Sequence, residues 1–146
     1  MATKYALQQK GVADSSKVPA DKADGRQVGA HKRTILASKD AGVDAWNSGD
    51  VIYLGKKPAN EKIVAIRGCT DTSFATSTLS IGDGTTADKY VAAKTLTATD
   101  VPTTLGPKAS TLDDAPGDEE ELWLTIGVAN IAAAVVATIE IELAGI

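Results

Sequence analysis

Few side chains in this 146-residue chain have the chemistry to act on a substrate. His31 is the only histidine and Cys69 the only cysteine. A Ser/His/Asp relay would have to run through His31, at the junction between a charged N-terminal stretch and the first apolar run. No GxSxG turn supplies a nucleophile for it, so an exposed loop histidine is expected. One Cys and one His cannot furnish the four ligands of a zinc site, and a single cysteine forms no internal disulfide. Cys69 lies in IVAIRGCT (63–70), where a small buried hydrophobe is expected rather than a reactive thiol.

Carboxylates are the remaining chemistry. IGDGTTADKY sets Asp83 and Asp88 around two glycines, but the spacing misses the EF-hand pattern, and a turn with solvated aspartates is expected. DDAPGDEEE (113–121) holds six acidic residues in nine positions. It reads as a solvated loop, with a divalent cation between subunits or a basic partner as the alternatives. GDGTTADK lacks the GxxxxGK[ST] spacing of a phosphate-binding loop. A glycosidase would need two carboxylates in a cleft with aromatic platforms, and only Trp46 and Trp123 could serve. Trp123 falls on the polar side of its run, between Glu121 and Thr125, as a surface anchor or a core contact. Trp46, in VDAWNSGD, is expected to be an exposed contact. No catalytic, cofactor or metal residues are therefore expected.

The composition agrees. A net charge of −4 and a pI near 4.9 argue against nucleic acid, whose binders carry a basic stripe. No apolar run approaches the ~20 residues of a membrane span. MATKYALQQKGV has no apolar signal-peptide core, so a soluble protein made in the cytoplasm is expected. Aromatics are 4% of the chain, which leaves the core to small and β-branched side chains.

The elements that must position these residues read as strands. ELWLTIG (121–127) puts Leu122, Leu124 and Ile126 on one face. AVVATIEIELAGI (134–146) puts Val135, Ala137, Ile139, Ile141 and Leu143 on one face and Val136, Thr138, Glu140 and Glu142 on the other. Such half-wet alternation marks antiparallel sheets. HKRTILAS (31–38), DVIYLG (50–55), EKIVAIRGCT (61–70) and STLSIGDG (77–84) are further strands. ADKYVAAKTLTA (87–98) is weaker: two short strands, or a strand and a helical turn. Residues 100–119, with three of the five prolines, read as a long irregular loop. Seven or eight short strands without a long helix predict an all-β antiparallel β-sandwich, or a small barrel of jelly-roll type. Residues 1–30 hold scattered Tyr5, Leu7, Val12, Val18 and Val28 among mixed charges. They read either as a disordered N-terminus or as an extended N-terminal arm that orders only against a neighbour, with Tyr5, Leu7 and Val12 as its anchors; residues 31–146 form the β-domain.

The succession SGDVIYLGKKPANEKIVAIRGCTD (48–71), STLSIGDGTTADKYVAA (77–93) and ELWLTIGVANIAAAVVATIEIELAGI (121–146) resembles the head decoration, or cement, proteins of tailed bacteriophages. The resemblance covers about residues 46–146 and, loosely, the arm. It implies a small β-domain with an N-terminal arm and no enzymatic activity, and a homotrimer on the capsid surface bridging subunits of the major capsid protein. It carries over no functional residue. The interface expected from the residues themselves is Tyr5, Leu7, Val12, Trp46 and Trp123. Alternatives are a glycan-binding adhesion module, using Trp46 beside Asn47 and Asp50 with the loop at 82–90, and a tail or neck component of the virion.

Overall fold

The alternating runs pair into two sheets. The computed structural model describes residues 31–41, 45–112 and 114–145; the proposed arm anchors Tyr5, Leu7 and Val12 lie outside them. Eight strands form: β1 (His31–Lys39), β2 (Val51–Lys57), β3 (Glu61–Thr70), β4 (Thr78–Gly82), β5 (Val91–Lys94), β6 (Thr103–Gly106), β7 (Glu120–Gly127) and β8 (Ala137–Gly145). One helical turn, α1 (Ala109–Leu112), precedes β7. Sheet I has the order β1-β8-β3-β6 and sheet II the order β2-β7-β4-β5, and every ladder is antiparallel. The pairs β1–β8, β2–β7, β3–β6 and β4–β5 are nested. The chain is one long hairpin that turns between β4 and β5 and is rolled so that its tiers fall in both sheets. This is the expected β-sandwich. The barrel alternative is corrected: among the described residues each sheet keeps two edge strands, and no ladder joins the sheets.

The core fills the space between the sheets. From sheet I come Ile63, Ile66, Leu105, Ala137, Ile139, Ile141 and Leu143; from sheet II come Leu54, Leu79, Ile81, Val91, Leu122, Leu124 and Ile126, all buried. The inward sets of β7 and β8 are the ones their alternation predicts. Gly68 of β3 leaves room for this packing, since a Cβ there would stand 2.8 Å from Leu96 Cδ1 and 3.1 Å from Leu105 Cδ1.

Three expectations change. Residues 100–119 are not wholly irregular, because Thr103–Gly106 adds β6 to the edge of sheet I and α1 follows. In 87–98 only Val91–Lys94 is strand, and Leu96 beyond it is fully buried. Cys69 is half-buried on the outer face of sheet I rather than in the core. The cause is a bulge. Ile63 pairs with Leu143 but Ala65 pairs with Glu142, so Val64 is an extra residue. Strict alternation would send Ile63 and Ile66 to opposite faces; the bulge turns both inward and leaves Arg67 and Cys69 outside.

Two lysines are buried at strand ends. Lys39 ends β1 and donates to the carbonyls of Ala133 and Val135, 3.0 and 2.9 Å away, in the loop that feeds β8. Lys57 ends β2 and donates to the carbonyls of Glu61 and Asp118, 3.1 and 2.7 Å away, the latter in the loop that feeds β7. Burial pushes the Lys57 ammonium below its ordinary pKa. Each lysine ties the end of one strand to the approach of its ladder partner, and the carbonyls offset part of the cost of burying its charge.

Val128, in the loop after β7, is 73% exposed and has a φ of 69°, a left-handed conformation that β-branched residues rarely adopt. Val128→Asn is expected to raise stability by about 1 kcal/mol, and Ile141→Ala to lower it by about 3 kcal/mol through a cavity in the fully buried core. Urea denaturation with unchanged m-values checks both.

Candidate interaction surface

With the core closed, the sheets present outer faces to the surroundings, and the chemistry of the two faces differs. The outer face of sheet I carries ion pairs, with Leu36 of β1 exposed beside them. Lys32 Nζ lies 2.8 Å from Glu142, and Arg67 lies 2.6 Å from Glu140 and 3.0 Å from Glu142. At the strand ends, on the parity that faces the core side, Arg33 reaches Glu61 at 2.8 Å. Hydrogen bonds from Lys32 and then Arg67 hold the Glu142 carboxyl below its usual pKa.

The outer face of sheet II is apolar at its centre. Val51 is 58% and Tyr53 49% exposed. Tyr53 pairs across the β2–β7 ladder with Trp123, and their rings meet edge-on with centroids 5.0 Å apart and planes at 61°. Beside the half-buried Trp123 is a hollow of about 420 Å³, bounded by Val51, Thr125, Glu121 and the turn Asp83–Ala87. Gly82 allows this turn, since a Cβ there would sit 1.9 Å from the Thr86 carbonyl oxygen. Asp83 Oδ1 accepts from the backbone N–H groups of Thr86 and Thr85 at 2.7 and 2.8 Å. The Thr86 bond is the main reason its carboxyl titrates below the usual range.

Next to this turn lies an ion cluster. Lys89 bridges Asp83, at 3.1 Å, and Glu120, and the Tyr90 hydroxyl donates to Glu120. Burial works against the Glu120 charge, but the hydrogen bonds from Lys89 and Tyr90 outweigh it and lower the pKa. Burial likewise disfavours the Lys89 ammonium, yet its bonds to Glu120 and Asp83 raise its pKa above normal. Burial and then the bond to Glu120 raise that of Tyr90. Glu120 is therefore a structural ion-pair member within the acidic run. Among the described residues no three His, Cys, Asp or Glu side chains converge as metal ligands, and no helix is long and apolar enough to cross a membrane.

The structure places Trp123 on the outer face of sheet II, as its flanking polar residues suggested. Trp46 is half-buried, packs against the core, and exchanges backbone hydrogen bonds of 3.0 and 2.7 Å with Ile131; it is not a freely exposed contact. The polar groups beside it are used locally: Asp50 accepts from the Asn47 N–H at 2.7 Å, and Asn130 from the Ser48 N–H at 2.8 Å. Trp46 and Trp123 thus belong to different regions, one a loop bridge and the other a sheet face. His31 begins β1, opposite Gly145. Tyr53, Lys89 and Tyr90 were not singled out from the sequence. The shared face of Val51 and Tyr53 was a readable signal, but its meeting with Trp123 depends on ladder register.

No family model and no curated protein matches the chain. Solved structures do. A chain of the cyanophage Pam1 capsid asymmetric unit superposes with a TM-score of 0.57 at 16% identity, over 92% of this chain and 99% of that one. A chain of the Ralstonia phage GP4 capsid also gives a TM-score of 0.57, at 20% identity, over 80% of this chain and 85% of that one. The likeness is one of fold.

The ion cluster sets a pH dependence. The lowered pKa values of Glu120, Asp83 and Glu142 contribute stability that is present above the unfolded carboxylate pKa of about 4 and lost as pH falls through the folded values. The raised values of Lys89 and Tyr90 contribute stability that is present below about pH 10 and lost above it. Glu120→Gln is expected to cost about 2 kcal/mol at pH 7. The gap to the parent protein should shrink on titration to about pH 3, as followed by urea denaturation at each pH.

Proposed function

We propose that this chain is a non-enzymatic structural protein of a bacteriophage virion, one that decorates the outer surface of the head and cements neighbouring subunits of the major capsid protein. The observation that carries this reading is the fold's likeness to chains of two phage capsids, which for the Pam1 chain runs almost end to end. The nested strand order supports it: eight strands in two four-stranded sheets, paired first with last, is the connectivity of a jelly roll, an architecture that recurs in viral capsid domains. The surface chemistry fits the same role. It offers an exposed aromatic and aliphatic face for burial in an interface and no assembled nucleophile or metal set among the described residues.

In this reading the protein acts as a homotrimer, with residues 1–30 as an arm that gains order on a neighbouring subunit through Tyr5, Leu7 and Val12. Repetition of the site over a shell makes modest affinity per site sufficient.

Sedimentation velocity of the full chain, alone and mixed with heads lacking it, tests the proposal. A trimer that travels with the heads is the expected outcome; a monomer that ignores them overturns it. The full chain with Tyr5, Leu7 and Val12 all changed to Ala is expected to keep the parent melting temperature and to leave the heads at least about tenfold more readily. Unchanged retention removes the arm from the account.

A further inference from the structure

The glutamates on the outer face of sheet I are ion-paired, whereas the hollow on sheet II is lined, among the described residues, by ionisable groups of one sign. Its ionisable walls are Asp83 and Glu121, both acidic. Asp83 is already committed, to two backbone N–H groups and to Lys89. Glu121 is exposed and has no ion-pair partner among the described residues. The cation nearest it in the ladder, Lys56 directly opposite, is held by Glu119 at 2.7 Å. Trp123 follows Glu121 on the same face of β7, Val51 stands further along opposite Thr125, and the small residues Gly84 and Ala87 complete the lining.

We propose that this hollow is a socket for an arginine side chain of a partner protein. An uncommitted carboxylate next to an indole ring suits a guanidinium: the planar cation stacks on the ring while its N–H fork reaches the carboxylate. Guanidinium is also more weakly hydrated than ammonium, so it loses less on entering a half-apolar hollow. A sugar would need convergent donors as well as acceptors. Here Lys89, the cation that holds Asp83, is also used by Glu120, and among the described residues no Asn, Gln, Arg or Lys lines the hollow. The inference rests on the virion reading only for naming the partner as a capsid subunit; the socket itself is a property of this chain.

The test follows the indole N–H signals of the full-length protein by NMR. There are two tryptophans, and Trp123→Phe assigns the signal. The probe is acetyl-Gly-Arg-Gly-amide, with the citrulline analogue and methyl β-glucoside as comparisons. The expected result is a saturable shift of the Trp123 signal with the arginine peptide, at least about tenfold weaker with citrulline, and weakened about threefold to tenfold by Glu121→Gln. Because Glu121 is exposed, that variant should melt with the parent protein, and the Trp46 signal reports its folding independently. Equal binding of citrulline, indifference to Glu121→Gln, saturation by the glucoside alone, or no shift at all overturns the socket. Any of these leaves co-sedimentation with heads, and hence the virion reading, untouched.

Discussion

The structure depends on the burial of one strand, β8. It lies between β1 and β3, hydrogen-bonded to both along nine residues, and turns Ala137, Ile139, Ile141 and Leu143 into the core. Without it, sheet I would have no centre: β1 would have no partner, and β3 and β6 would form a detached ribbon too small to hold an apolar face. The last strand must therefore close what the first began, across more than a hundred residues. Such nested long-range pairing is costly in loop-closure entropy and favours slow, concerted folding. The buried lysines fit this constraint. Lys39 and Lys57 fasten the loops that deliver β8 and β7 to the strands they join, so the rolled hairpin is secured where its tiers change sheets.

One buried layer also separates two surfaces of different character. On sheet I the outward positions of β8 are glutamates and threonine, met across the ladders by Lys32 and Arg67, and the charges satisfy one another. Exposed pairs of this kind stabilise little, and they make this face largely hydrated around the single exposed Leu36 of β1. On sheet II the same alternation brings Val51, Tyr53 and Trp123 to the surface, where no charge partner competes for them. Aromatic side chains of this type carry much of the energy of protein interfaces. In the reading proposed above, sheet II is the face that docks, because its apolar and aromatic side chains gain most from burial.

The sequence by itself determined the class of fold and most of the core. Period-two alternation in β2, β4, β7 and β8 depends only on neighbours in the chain, so which side chains point inward was legible before any pairing was known. Features that depend on register were not. The bulge at Val64 reverses the parity of β3 and moves Cys69 outside, because an extra residue is accommodated by the partner strand rather than announced locally. Trp46 reads as a loop residue, yet Ile131, eighty-five positions away, claims its backbone. Tyr53 and Trp123 each read as outward residues, but only the β2–β7 ladder makes them one patch. Glu120 reads as part of a solvated acidic loop until tertiary packing ion-pairs it with Lys89, and the burial of the charged Lys57 is decided only by the loops that pack around it. Local alternation is written in the chain because it needs no second segment; long-range register, burial of charge and the assembly of a surface are decided only when distant segments meet.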